Sequence, residues 1–195
     1  RRYLVSELGG KTNIALKAKE LQMEFSKESP EARKIHQEIQ KLENEGYQFE
    51  AAEASFELMV QKLLGKFKPF FEIGSVAVRA EGIGDDSPFS IAEVKLTAKG
   101  KVHFEVAEGD GPVNALDKAL KKALRRAYSV VDKIHLTDYK VRVVNSQAGT
   151  AAKVRVFIEF QDEKKSWTTV GVNENIIEAS WKALVDAIEY KLLKG

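Results

Sequence analysis

Two stretches of this chain repeat each other. Residues 109–128 read GDGPVNALDKALKKALRRAY, and residues 173–192 read NENIIEASWKALVDAIEYKL. Setting Gly111 against Asn175 brings Asn114 opposite Glu178, Ala115 opposite Ala179, Lys118 opposite Lys182, Ala119 opposite Ala183 and Leu120 opposite Leu184. Each stretch follows strand-like runs that also match. A duplicated strand–strand–strand–helix unit builds two like surfaces, and two such surfaces pack about a pseudo-two-fold axis. That geometry favours holding a small molecule at a seam over building one active site.

The hydrophobic period divides the chain. Residues 1–66 read as a helical subdomain. Ile14, Leu16, Ala18 and Leu21 mark a loosely patterned first helix. Ser29-Pro30-Glu31 is a helix start, with Ser as cap, Pro in the first turn and an acid at the positive end. Ile35, Ile39 and Leu42 then form one stripe, which Gly46 ends. A further helix over 50–64 carries Ala51, Ala54, Phe56, Leu58 and Leu63 and stops at Gly65.

Past Pro69 the period falls from 3.6 to 2. Phe71, Ile73, Val76 and Val78 mark a strand, and 82–88 a loop. Val94, Leu96 and Ala98 mark a second strand, Gly100-Lys101 a turn, and Val102, Phe104 and Val106 a third strand. A helix over 113–127 follows. The cycle repeats as a strand over 136–144, a loop at 145–149, strands over 152–160 and 167–172, and a helix over 176–193. The fold class is therefore α+β. A helical subdomain (1–66) precedes a duplicated βββα domain (67–195), with units at about 67–128 and 129–195. Alanines at intervals of four, Ala115, Ala119 and Ala123 in one helix and Ala179, Ala183 and Ala187 in the other, give faces that allow close packing.

Composition narrows the function. Of 195 residues, 44% are hydrophobic and 31% charged, as in soluble globular proteins. A net charge of +2 argues against nucleic acid or an anionic membrane as partner. The absence of cysteine excludes disulfides, thiolate metal sites and a Cys nucleophile, and suits a cytoplasmic location. No apolar run reaches the roughly 20 residues needed to span a bilayer. The opening at Arg1-Arg2 reads as a fragment of something longer. His36, His103 and His135 have no metal-ligand spacing, and no nucleophile elbow or phosphate loop appears. No catalytic residue and no metal site is assigned.

The sharpest local signal is Glu108 to Asn114, EGDGPVN. Two glycines and a proline ahead of a helix leave backbone N–H groups pointing outward, and such an end attracts carboxylates and phosphates. Asp110 and Asn114 either meet an ammonium group or cap the helix; a plain strand-to-helix turn has the same letters. Further on, Tyr139 supplies an aromatic wall and a hydroxyl, and the small residues Gly149, Ala151 and Ala152 leave room beside a strand. A pocket for an aliphatic amino acid needs such a lining; a tight strand entrance reads the same way. Lys118, Lys121, Lys122, Arg125 and Arg126 read as a solvated helix face.

These strings carry a resemblance. LENEGYQFE (42–50), GDGPVNALDKAL, LTDYKVRV, and WTTVGV followed by NENIIEASWKALVDAIEYKLL resemble the C-terminal part of the family of citramalate, isopropylmalate and homocitrate synthases. The likeness spans essentially the whole chain and leans to the citramalate branch in LENEGYQFEAAEASFEL and IEYKLL. The resemblance implies a parent acyltransferase that condenses acetyl-CoA with pyruvate on a TIM barrel with a divalent metal, upstream of Arg1. It implies no cofactor and no catalysis in this region, which would form a homodimer and bind isoleucine as feedback inhibitor. By position, it implicates Gly109, Gly111, Pro112, Val113 and Asn114 for the effector's carboxylate. Leu136, Tyr139, Ala151 and Ala152 would be apolar walls, and Asp110 or Asp138 would offset the ammonium group. Two other readings stand beside it: a leucine-sensing isopropylmalate synthase region, and a structural dimerisation module without effector.

Overall fold

The computed structural model describes residues 29–81, 89–144 and 152–195. The first helix expected from Ile14 to Leu21, the loops expected at 82–88 and 145–149, and Ala151 lie outside the described residues. The chain forms α1 (Pro30–Glu45), α2 (Glu53–Leu63), β1 (Phe71–Glu81), β2 (Phe89–Ala98), β3 (Lys101–Gly109) and α3 (Pro112–Leu124). A short 3-10 turn, Ser129–Lys133, leads to β4 (His135–Val143), β5 (Val154–Gln161), β6 (Ser166–Asn173) and α4 (Ile176–Lys194). No helix among the described residues is long and apolar enough to cross a membrane.

Local chemistry sets these bounds. Ser29 Oγ accepts from the Ala32 N–H at 3.1 Å, and Gly46 ends α1 at φ +108°. Lys99 and Gly100 take φ +49° and +73°, so a two-residue turn of the type that matches strand twist joins β2 to β3.

The two units are copies down to their irregularities. Each is an antiparallel sheet, in order β1-β2-β3 and β4-β5-β6. Val94 pairs with Glu105 in the first, and Ile158 with Thr169, each 64 residues on, in the second. The first strand of each sheet slips register by one residue, between Ile73 and Ser75 and between Leu136 and Asp138. The slip explains why the apolar spacing jumps by three from Ile73 to Val76. An inserted residue restores the inward face after the kink.

Each helix lies on its own sheet through its alanines. Ala115, Ala119, Ala123, Ala179, Ala183 and Ala187 are all fully buried, and they share one core with Val94, Leu96, Val156, Ile158 and Phe160. Gly171 on β6 lets α4 come closest: a methyl there would stand 1.9 Å from the Ala179 carbonyl oxygen. Thr169 Oγ1 donates to the Ala183 carbonyl at 2.8 Å, and Trp167 Nε1 to the Ala187 carbonyl at 3.1 Å. The buried polar groups of β6 are thereby satisfied by the helix above them.

The α1–α2 segment breaks the symmetry. It packs Ile35, Ile39, Phe49, Ala52, Phe56 and Val60 against Val170 and Val172, on the outer face of the second sheet. It also covers the β6 edge: the Thr168 N–H donates to Glu53 at 3.3 Å and the Val170 N–H to Ser55 at 3.0 Å. Among the described residues, the outer face of the first sheet has no such cover. Val102, Phe104 and Val106 are there 64%, 56% and 40% exposed. Their alternation reports a strand correctly, but the apolar side is the outward one; His103, Glu105 and Ala107 face the helix side with the buried residues of β2.

Gly171→Ala is expected to destabilise the protein by about 2–3 kcal/mol, because the α4 backbone at Ala179 and Ala183 leaves the methyl no room. Urea denaturation measures the loss; an unchanged midpoint would show that α4 does not sit this close.

Candidate functional site

The first unit's helix end differs from the second's. At α4, Asn175 Oδ1 accepts from the Ile177 N–H at 2.8 Å, Asn173 Oδ1 from the Asn175 N–H at 2.8 Å, and Glu178 lies in the first turn. That end is capped and already carries negative charge. At α3 the cap position is Gly111; among the described residues no side chain caps the helix, and no acid occupies its first turn. Asn114 Oδ1 instead reaches back to the Asp110 N–H at 3.3 Å. Among the described residues there is open space around Gly111: a methyl there would meet none of them within 4 Å. Gly109 is the reverse, buried so tightly that a methyl would fall 2.4 Å from the Ala115 nitrogen. The sequence Gly-Asp-Gly thus places one glycine for close packing and one at an open, positively polarised helix mouth.

The other predicted residues form a separate group. Leu136 and Tyr139 pair with Phe160 and Ile158, so they sit on the inner face of β4 and pack on the core. The Tyr139 hydroxyl lies 2.9 Å from Ser180 Oγ, and Ser180 in turn donates to the Ile176 carbonyl at 2.7 Å. Tyr139 is therefore tied to α4. Among the described residues no hydrogen bond joins it to the α3 mouth. Ala152 is buried at the entrance to β5. Asp110 is exposed. Asp138 is cross-strand from Glu159, on the outer face away from Tyr139. Its carboxylate is held below the ordinary value by Lys140 first, and by the Tyr139 N–H. That pairing and position turn it away from any ligand on the inner face.

Several polar residues escaped the sequence reading. On α3, Lys121 is not solvated: it bonds Asp117 at 2.8 Å and lies 4.8 Å from the Phe160 ring centroid. Lys122 pairs with Glu105 and Arg125 with Asp132. Asp117 is buried with Oδ1 lacking a hydrogen-bond partner, and burial pushes its carboxyl up despite Lys121. The four-residue spacing of Asp117 and Lys121 signals a pair; nothing in it signals depth.

A second group lies where α2 meets α4. Lys62 is 3.3 Å from Asp186 and 3.2 Å from Glu189, and Ser55 donates to Asp186 at 3.0 Å. Lys194 bonds Glu57 beside them. A cleft of about 440 Å³ opens above this cluster, with Leu42, Tyr47, Phe49 and Met59 on its walls. Burial raises the carboxyls of Asp186 and Glu189, and one lysine only partly pulls them back. For Lys62, burial works downward, but the two carboxylates outweigh it and hold its pKa up. Lys62 and the two acids carry one negative charge more than they neutralise.

A carboxyl raised on folding binds protons more readily folded than unfolded. Stability therefore falls as pH rises from the ordinary values, 3.8 for Asp186 and 4.5 for Glu189, through the raised ones. Asp162, held low by Lys191 and then by the N–H groups of Lys164 and Lys165, acts oppositely and only below 3.8. Wild-type protein should thus lose melting temperature as pH rises above those ordinary values, and Asp186→Asn should flatten that slope. Thermal melts across pH decide it; an unchanged slope in the variant would assign the effect elsewhere.

Comparison with known proteins bears on the whole chain. Residues 50–192 match the family described as the LeuA allosteric (dimerisation) domain. The chain is similar to the (R)-citramalate synthase of Aquifex aeolicus, 48% identical over all of this chain and 37% of that protein. It is 46% identical to the (R)-citramalate synthase of Geobacter sulfurreducens, with the same coverage. A 2-isopropylmalate synthase of Aquifex aeolicus is 34% identical over 56% of this chain and 19% of the relative. The chain thus spans little more than a third of the citramalate synthases it matches.

Proposed function

Because this chain belongs to the LeuA allosteric (dimerisation) domain family, we propose that it is the feedback-regulatory and dimerisation region of a cytoplasmic citramalate synthase, and that it binds isoleucine. On this reading residues 1–66 are a helical linker and 67–195 the effector-binding dimer module. The condensation of acetyl-CoA with pyruvate, with its divalent metal, belongs to a barrel outside this chain.

The observation that carries the reading is the contrast between the two helix ends. The α4 end is filled by its own side chains, whereas among the described residues the α3 end at Gly111 is open and uncapped. The N–H groups of Val113 and Asn114 would take the effector's carboxylate, with Gly109 and Pro112 fixing the turn. Leu136, Tyr139 and Ala152 would hold the branched side chain, and Ala151 is assigned to the same wall from the family pattern. Asp110, beside the mouth, would offset the ammonium group. Two copies of the module place these half-sites at the dimer seam.

Magnitudes fit a site that uses both ends of the ligand. Burying an isoleucine side chain contributes roughly 1.5–3 kcal/mol. Micromolar affinity needs about 8 kcal/mol. The remainder must come from charge: hydrogen bonds to charged groups contribute about 1.5–3 kcal/mol each, and the helix dipole adds to them.

Calorimetry of the folded dimer with isoleucine, leucine and valine tests the proposal. Isoleucine should bind at micromolar concentration, and Leu136→Ala should weaken it about tenfold, equivalent to 1.4 kcal/mol. Tighter binding of leucine would move the chain to the isopropylmalate branch. Heat with none of the three leaves a dimerisation module without effector.

A further inference from the structure

We propose that α4 is the element that carries the state of the effector site to the α1–α2 segment, and that the cluster of Ser55, Lys62, Asp186 and Glu189 is the joint through which it does so. The inference rests on the effector reading of Tyr139. It concerns the regulation of that site and not its existence.

Three observations place α4 in this role. Its first turns hold the wall of the candidate site: Ser180, fully buried, lies 2.9 Å from the Tyr139 hydroxyl. Its later turns hold α2: Lys62 reaches both Asp186 and Glu189, and Ser55 bridges Asp186 to the Val170 N–H of β6. Ser180 and Glu189 lie on one unbroken helix, so about 14 Å separates the two contacts at 1.5 Å per residue. A rigid helix gripped by directional bonds at both ends moves at one end when it moves at the other.

The duplication supplies an internal control. In the first unit, the counterparts of Tyr139 and Ser180 are Val76 and Leu116, which form no hydrogen bond. The counterparts of Asp186 and Glu189 are Lys122 and Arg125, which pair with Glu105 of β3 and with Asp132 of the 3-10 turn after α3, not with the α1–α2 segment. Among the described residues, the polar grip at both ends thus occurs on α4, the duplicated helix that packs on α2. Packing alone does not require it, because α3 packs its sheet without it.

The joint is also built to change state. Two carboxylates share one lysine beside an open cleft, and Asp186 keeps 25% of its side chain exposed at the cleft floor. Lys62 holds Asp186 and Glu189 at once, three residues apart on one face, so a turn of α4 would lengthen one of these bonds against the other. A coupling of this kind needs an element with two arrangements that both sites bias.

The test follows amide hydrogen exchange in α2 and β6 of the 195-residue chain, with and without saturating isoleucine. Binding should change α2 exchange by about fivefold or more, the low end of allosteric coupling. Lys62→Met strands two buried acids and risks unfolding, so the second variant is the neutral set Lys62→Gln, Asp186→Asn and Glu189→Gln. It should bind isoleucine by calorimetry as tightly as wild type yet lose the α2 response. Isoleucine binding with unchanged α2 exchange in wild type, or a full response in the neutral variant, overturns the joint and leaves the effector reading intact. Absence of binding in wild type removes both.

Discussion

The close approach of each helix to its own sheet is what the rest of this structure depends on. Alanine every fourth residue removes the side-chain bulk that normally separates layers, and the backbone of α4 comes within touching distance of β6 at Gly171. At that distance the carbonyls of Ala183 and Ala187 become acceptors for Thr169 and Trp167. Helix position is therefore set by directional bonds as well as by packing. The helix ends and the faces of α4 inherit that precision, and both the open mouth at Gly111 and the grip on α2 follow from it.

Duplication gave two equal scaffolds, and their differences carry the functional content. The same bulge recurs in β1 and β4, and the same register recurs in both sheets. Yet among the described residues one helix end is capped and the other is open. One outer sheet face is covered by α1 and α2, and the other presents Val102, Phe104 and Val106. An anion can be stabilised only at the end where no carboxylate or capping amide already sits. A segment can be moved only by the unit it touches.

The sequence made the element order legible because its signals are local. Ser29-Pro30, Gly46, Gly65 and Gly100 each act within a few residues, and each ends or turns an element where expected. The alternation of Val102, Phe104 and Val106 identified a strand and said nothing of which face was inward, since that depends on where α3 lands. The basic run on α3 read as solvated; Lys121 instead folds over Phe160 onto Asp117, a contact made by a strand 40 residues further along. Of the candidate site, the α3 mouth was legible from Gly-Asp-Gly-Pro. Ser180, the partner of Tyr139, was not, because a serine within a helix gives no sign of what lies across from it.

The chain's own letters determined that it would fold as a repeated βββα unit behind a helical segment, since period, caps and turns are properties of neighbouring residues. Tertiary structure alone decided that Ser55 and Lys62 would meet Asp186 and Glu189. Burial and pairing are set by residues a hundred or more positions apart, and distance in space at that range leaves no periodic trace in a single sequence.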